Sequence, residues 1–209
     1  MNLINKILDI IFPKECGICG KLGEYICQDC YNKLKKLEMN KCKNNIFFIY
    51  KYEGIVRETI LKYKFEDKSY LFRTYSNCLQ KNKKLYRFLE KYDIIIPVPL
   101  HKKRLLERGY NQSNLIAKEL IKITNNKMIL LNDVLLKTVN IKPQSTKKVE
   151  ERKKDVCGIY KVVNNEKIKQ KRVLIFDDIY TTGSTCNECK KVLEEAGCKT
   201  VGILTLARD

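Results

Sequence analysis

Two adjacent aspartates, Asp177 and Asp178, follow four apolar residues in VLIFDDIYTTGST (173–185), and small hydroxyl residues around one glycine come next. Adjacent carboxylates repel, so a strand that ends in two of them must gain something from the pair. In open α/β sheets, ligands bind beyond the carboxyl ends of the strands. Thr181, Thr182, Gly183, Ser184 and Thr185 lead straight into a predicted helix. Free backbone N–H groups at a helix N-terminus, with the helix dipole behind them, make a phosphate site. The two carboxylates cannot bind that phosphate, but they can accept hydrogen bonds from vicinal hydroxyls or sit near a divalent cation. A ligand with a phosphate at one end and a diol in the middle, such as a ribose 5-phosphate, satisfies both halves. Ordinary helix caps explain one hydroxyl residue well, but not two acids followed by TTGST. Neither GxxxxGK[ST] nor GxGxxG occurs.

A second constellation lies in PVPLHKKRLLERGYNQ (97–112), where a proline-punctuated loop is predicted after a short buried strand. It carries Lys102, Lys103, Arg104 and Arg108. Four cations suit a highly charged group held while charge develops on it. The alternative is a basic solvated loop.

A third lies near the start. Cys16-x-x-Cys19 and Cys27-x-x-Cys30 form two knuckles separated by seven residues. Four thiolates at this spacing are the Cys₄ arrangement of a tetrahedral structural zinc, which leaves no open position for catalysis. Gly17 and Gly20 suit tight turns that aim backbone N–H groups at sulfur. Cys42, Cys78, Cys157, Cys186, Cys189 and Cys198 are scattered and are expected to pack, although Cys186 and Cys189 lie one helical turn apart and leave a second metal open. The lone His101 needs no catalytic role.

The chain has 209 residues and a formal net charge of +18. Such an excess points to a polyanionic partner: nucleic acid, phosphorylated metabolites or an anionic membrane surface. Richness in Lys, Asn and Ile is also what AT-rich coding produces, with lysines simply solvated. No apolar stretch approaches the roughly 20 residues of a membrane helix. The start, with Leu3, Ile4, Ile7, Leu8 and Ile11 at helical spacing, reads as a short amphipathic helix rather than a signal peptide. A cytoplasmic protein with reduced thiols is therefore expected, with peripheral contact at the inner face of the membrane as a variant.

Strands are predicted over 46–54, 92–100, 134–138, 159–163 and 172–178 and from about 200 to the end. Helices are predicted over 55–65, 69–90, 111–124, capped by Asn111 or Ser113, and 185–197, stopped at Gly197. Strands alternating with helices from about residue 92 indicate an α/β fold with a mainly parallel sheet. The expected organisation is an N-terminal helix and Cys₄ finger over 1–45, then one α/β domain over 46–209 with its core at about 92–209.

Residues 174–186 closely resemble the phosphoribosyl pyrophosphate (PRPP) motif of type I phosphoribosyltransferases. The resemblance implies that Asp177 and Asp178 address the ribose hydroxyls and that Thr181–Thr185 cradle the 5-phosphate. Residues 97–112 resemble the segment typical of the ComF/GntX family, a branch of that superfamily linked to natural competence, in which the loop of Lys102, Lys103, Arg104 and Arg108 meets pyrophosphate. Tyr110 and Gln112 match as packing and positioning groups. KPQSTKKVEERKKDVCGIYKV (142–162) resembles the family's hood, expected over about 139–163, with Gln144 and Arg152 at motif positions and Asp155 departing from an asparagine-like pattern. A Cys₄ finger is a common beginning in this family.

The resemblance implies two roles. One is an enzyme that binds Mg²⁺–PRPP and transfers phosphoribosyl to a nitrogen nucleophile, releasing pyrophosphate. The other is a non-catalytic accessory that handles incoming single-stranded DNA beside a competence helicase, with PRPP as a regulatory ligand. For the second, the aromatic residues of FFIYKYEGIVRETILKYKF (47–65) either stack on bases or line the core.

Overall fold

A computed structural model describes residues 14–65, 71–141 and 156–209. The expected amphipathic helix at 1–12 and most of the hood segment, including Gln144, Arg152 and Asp155, lie outside the described residues.

The fold is a three-layer α/β/α sandwich. Its six-stranded sheet contains β1 (Glu38–Lys43), β2 (Ile46–Lys51), β3 (Ile94–Pro97), β4 (Ile129–Leu130), β7 (Arg172–Tyr180) and β8 (Thr200–Arg208). The spatial order is β1-β2-β8-β7-β3-β4, and every neighbouring pair is parallel except β1 with β2. A separate antiparallel pair joins β5 (Leu135–Lys137) to β6 (Tyr160–Val162), on either side of the segment outside the described residues.

The two-residue period of a strand divides the core. Leu174 and Phe176 of β7 pack to one side with Ile95, Leu204 and Leu206. Val173 and Ile175 pack to the other with Ile94, Ile96, Val201 and Ile203. The first side is covered by α2 (Gly54–Phe65), α3 (Leu71–Gln80), α4 (Lys83–Leu89) and α6 (Gln112–Ile123), through Ile60, Tyr75, Leu85, Phe88, Ile116 and Leu120. The second is covered by α7 (Ser184–Glu195) and the β5–β6 pair, through Cys186, Cys189, Leu193, Leu135 and Tyr160. Strands buried on both faces explain why VLIF, III and GILTLA read as continuous apolar runs rather than alternating ones.

At the opposite end of the sheet from the two aspartates, Asp93 pins β3 to β7. It accepts the Arg172 backbone N–H at 2.9 Å and the guanidinium at 2.5 Å, and the Arg172 hydrogen bond holds its carboxyl below the usual range. The register that follows sets Pro97 beside Phe176. From β3 the chain runs outward through α6 to β4, whereas from β7 it runs the other way through α7 to β8. The crevice between the carboxyl ends of β3 and β7 is therefore the topological switch point, where open α/β sheets bind ligands.

The strand at 46–51 belongs to this sheet, so the α/β unit is built from well before residue 92. The aromatic residues proposed for base stacking are core in large part: Phe47, Phe48, Tyr50 and Tyr63 are all buried. The predicted helix over 69–90 is two helices, divided where the Asn82 side chain caps α4 by accepting the Leu85 N–H.

Candidate active site and zinc centre

Asp177 and Asp178 sit at the switch point as consecutive residues of β7, so their side chains leave opposite faces of the strand. Asp177 lies on the α7 side, where the Cys186 thiol is 3.9 Å from Oδ2. Its Oδ1 accepts the Asp178 backbone N–H at 2.9 Å and the Ser113 hydroxyl at 3.4 Å. Asp178 lies on the α2 side, only 7% exposed, and its Oδ1 pairs with Lys64 Nζ at 2.7 Å. Burial, and then the charge of Asp178, push the Asp177 carboxyl up to about 7 against the pull of Lys64, the Asp178 N–H and Ser113.

The acids border a cleft of about 300 Å³ whose walls come from five places in the chain. Thr181 and Thr185 border it from the β7–α7 turn, Val98 and Leu100 from beyond β3, Arg104 and Arg108 from α5 (Lys102–Arg108), Asn111, Gln112 and Ser113 from the start of α6, and Lys64 from α2. A larger open cleft of about 420 Å³ lies by α4, lined by Asn82, Lys83, Tyr86 and Arg87 among others, and holds no acid pair.

The turn into α7 explains the small residues of TTGST. Gly183 has φ +76°, and a Cβ there would overlap the Tyr180 hydroxyl, so only glycine fits. The Thr182 and Ser184 hydroxyls are 2.7 Å apart, and the Ser184 N–H points at Thr182 Oγ1 at 3.3 Å. This places hydroxyls and the first N–H groups of a 12-residue helix at one end of the cleft.

The basic segment is a two-turn helix, not the predicted loop. His101 starts it, its Nδ1 accepting the Lys103 N–H at 3.2 Å, and Gly109 ends it in the left-handed region. Residues four apart share a helix face, so Arg104 and Arg108 border the cleft together while Lys102 and Lys103 are exposed and stand away from it. Arg108 donates to Gln112 Oε1 at 2.7 Å, which leaves the buried Gln112 Nε2 without a hydrogen-bond partner beside the cleft. Of the two candidate caps, Asn111 takes the position, accepting the Ser113 and Asn114 N–H groups.

Lys64 was not singled out by sequence reasoning. It carries no motif, and only the insertion of β2 beside β8 brings α2 to the site.

The four cysteines do converge. The sulfurs of Cys16, Cys19, Cys27 and Cys30 all lie within 4.8 Å of one another, and Cys19 and Cys27 are 3.7 Å apart. A tetrahedral ion with Zn–S bonds of about 2.3 Å spaces its sulfurs at about 3.8 Å, so the residues fit zinc. Burial works to raise the Cys16 thiol, yet backbone N–H groups of Cys27, Cys19 and Ile18 outweigh it and hold it near 7. Burial and the neighbouring sulfurs push Cys30 strongly up. Without a cation the cluster accepts only part of its negative charge. Gly20 makes the expected turn at φ +77°, but Gly17 serves docking, because a Cβ there would overlap Leu71 and Thr74 of α3. Among the described residues, no other His, Cys, Asp or Glu group gathers three potential ligands. Cys186 and Cys189 are buried core thiols pushed well up by burial, as packing residues should be. No described helix is long and apolar enough to cross a membrane.

Comparisons agree with this division. Residues 105–209, half of the chain, match the phosphoribosyl transferase domain family, and residues 7–45 match the double zinc ribbon domain family. Competence protein F of Haemophilus influenzae is 29% identical over 204 residues, covering 94% of this chain and 85% of that protein. Competence protein ComFC of Bacillus subtilis is 28% identical over 198 residues, covering 93% of this chain and 78% of its own. Among solved structures, a glutamine PRPP amidotransferase from Bacillus subtilis complexed with ADP and GMP overlaps at a TM-score of 0.44 and 19% identity, covering 69% of this chain and 30% of that one.

Two outcomes are expected. Cys30→Ser loses stoichiometric zinc by elemental analysis, and its melting midpoint falls by roughly 5–10 °C, since a structural zinc contributes directly to folding. For Asp177, a folded-state pKa above the unfolded one means stability that is present at low pH and lost as pH rises. The loss runs from about 4, the unfolded value, to about 7. Asp177→Asn escapes that loss, so its Tm relative to wild type climbs by on the order of 5 °C over this window and levels off above it. A pH-independent difference in thermal melts contradicts the assignment.

Proposed function

The chain belongs to the phosphoribosyl transferase domain family, and we propose that its switch-point cleft binds PRPP with Mg²⁺ in a competence-related role. The observation that carries this reading is the division of labour in the cleft. Asp177 and Asp178 offer acceptors in its middle, Thr185 and the α7 N-terminus offer donors at one end, and Arg104 and Arg108 offer cations from α5. A ribose carrying a 5-phosphate and a 1-pyrophosphate presents groups of matching character in that order.

Each part has a physical task. The turn Thr181–Thr185 holds the 5-phosphate with hydroxyls and N–H groups, and the glycine at 183 lets the phosphate approach the backbone. Asp177 and Asp178 accept from the ribose hydroxyls and favour positive charge developing on the ring. Arg104 and Arg108 face the pyrophosphate that departs, with Mg²⁺ arriving on that group, while the exposed Lys102 and Lys103 add to the field that draws it in. Transfer to a nitrogen nucleophile follows if an acceptor enters. The Cys₄ zinc holds the N-terminal ribbon folded and takes no part in the transfer.

Calorimetry of PRPP with Mg²⁺ tests this. Wild type binds, and Asp177→Asn/Asp178→Asn loses roughly a hundredfold or more in affinity, the effect of removing two charged acceptors. Absence of binding to wild type overturns the reading.

A second reading rests on the net charge of +18 and on the relatives' names as competence proteins. In it the chain also holds single-stranded DNA beside a helicase of the uptake machinery. Affinity for an oligonucleotide should then fall steeply and log-linearly with salt and persist in the double aspartate variant. No binding at low salt removes this reading.

A further inference from the structure

Lys64 comes from α2, outside the 105–209 segment that matches the family, yet its ammonium lies 2.7 Å from Asp178 at the centre of the cleft. We propose that Lys64 is a positioning residue of the site: the counter-ion that draws the Asp177–Asp178 pair towards its charged form, and so towards accepting from a diol. The proposal rests on the PRPP reading and deepens it.

The ammonium is held there by construction. Tyr63, the preceding residue, is fully buried, and its hydroxyl donates to the Gln112 carbonyl at 2.9 Å. In return the Tyr110 hydroxyl donates to the Tyr63 carbonyl at 3.2 Å. Two hydrogen bonds thus clamp the end of α2 to the turn between α5 and α6, the same turn that presents Arg108 and Ser113. The lysine side chain is 22% exposed and that of Asp178 10%, so the pair is largely withdrawn from water. A charge left alone in such a place is costly, which makes each partner depend on the other.

The chemistry requires a counter-ion. A carboxylate accepts several hydrogen bonds, so Lys64 on Oδ1 leaves Asp178 able to take a hydroxyl as well. Two ionised acids on neighbouring residues repel, and the cheaper state without compensation protonates one of them. A protonated acid is a poorer acceptor for a diol. The described groups facing Asp177 are Asp178 on β7, Lys64 on α2, Ser113 on α6, Cys186 and Cys189 on α7, Tyr160 on β6 and Lys137 on β5. Ser113 is uncharged, and burial pushes the Cys186 and Cys189 thiols and the Tyr160 hydroxyl up, keeping them neutral. Lys137 has its amine 5.8 Å from the Tyr160 ring, and burial followed by Arg104 holds its ammonium below the usual lysine range. Lys64 is in direct contact with Asp178, and its charge also acts on Asp177.

The test compares wild type, Lys64→Met and Lys64→Arg as zinc-loaded full chains. Carbon-13 NMR follows the aspartate carboxyls of the ligand-free protein through pH, and calorimetry follows PRPP with Mg²⁺. In Lys64→Met the titration of the acid pair should move up by about 1 unit or more, as expected on removing an adjacent opposite charge. PRPP affinity should fall roughly tenfold near pH 7 and recover towards pH 9, where both acids ionise unaided. Lys64→Arg keeps both properties. Unchanged acid titration in Lys64→Met, or tighter PRPP binding by it, overturns the proposal, the latter making Lys64 an obstruction. If wild type fails to bind PRPP, the functional reading falls, while the ligand-free titration still decides whether Lys64 is the counter-ion.

Discussion

Successive side chains of a β-strand leave opposite faces of the sheet, and at the end of β7 that rule falls on two carboxylates. Because of it, Asp177 and Asp178 do not lie side by side despite being neighbours in the chain. Each finds its own surroundings: Ser113 and Cys186 for one, Lys64 for the other. The rest of the architecture supplies those surroundings. α7 must follow β7 on one side and α6 must follow β3 on the other, which requires the outward strands β8 and β4 to lie on opposite flanks. β2 must in turn join beside β8, so that α2 carries Lys64 over the ends of the strands. The site is in this sense a consequence of strand order.

The zinc ribbon touches the cleft only through intermediaries, but those contacts are close. Gly17 leaves no room for a side chain against α3, and Thr74 of α3 donates its hydroxyl to the Tyr25 carbonyl at 2.8 Å. Arg73 covers the Tyr25 ring at 5.2 Å and donates to its hydroxyl at 3.1 Å. From α3, Ser76 reaches Glu119 on α6 at 2.9 Å, and the N-terminus of α6 carries Asn111, Gln112 and Ser113 into the cleft. A folded ribbon thus braces the helix pair from which one wall of the site is built. A metal far from the reacting groups can have a structural task of this kind with no open coordination position.

Much of this was legible in the sequence, and the reasons differ by segment. β7 and β8 are buried on both faces, so their apolar runs stand out. The acid pair, the TTGST turn and the four cysteines depend on local spacing, which a sequence displays directly. What was missed depends on partners distant in the chain. β1, EMNKCK, is a polar edge strand with exposed lysines, and only its pairing with β2 makes it a strand. β4 is two residues long. The helix at 102–108 leaves no helical signature in the sequence because none of its residues is buried: Leu106 is 84% exposed, so no apolar stripe marks the helical period. Gly17 looked like a turn residue because nothing local shows α3 pressing on it. Lys64 was one lysine among many.

The composition of the cleft also limits what the net charge can mean. A surface made for a nucleic-acid backbone meets one kind of charge and has no use for acids at its centre. This cleft places two carboxylates between a helix N-terminus and a pair of arginines, so a bare polyphosphate chain would set negative charge against Asp177 and Asp178. The ligand proposed for it is anionic at both ends and rich in hydroxyl donors between them. The excess of +18 is carried largely by lysines elsewhere, among them Lys33, Lys35 and Lys36 at the end of α1 (Gln28–Lys36) and Lys41 and Lys43 on the exposed edge strand. If the chain holds a polyanion as well as a phosphorylated sugar, electrostatics separates the two: the sugar belongs at the switch point, and the polyanion on surfaces where no carboxylate pair opposes it.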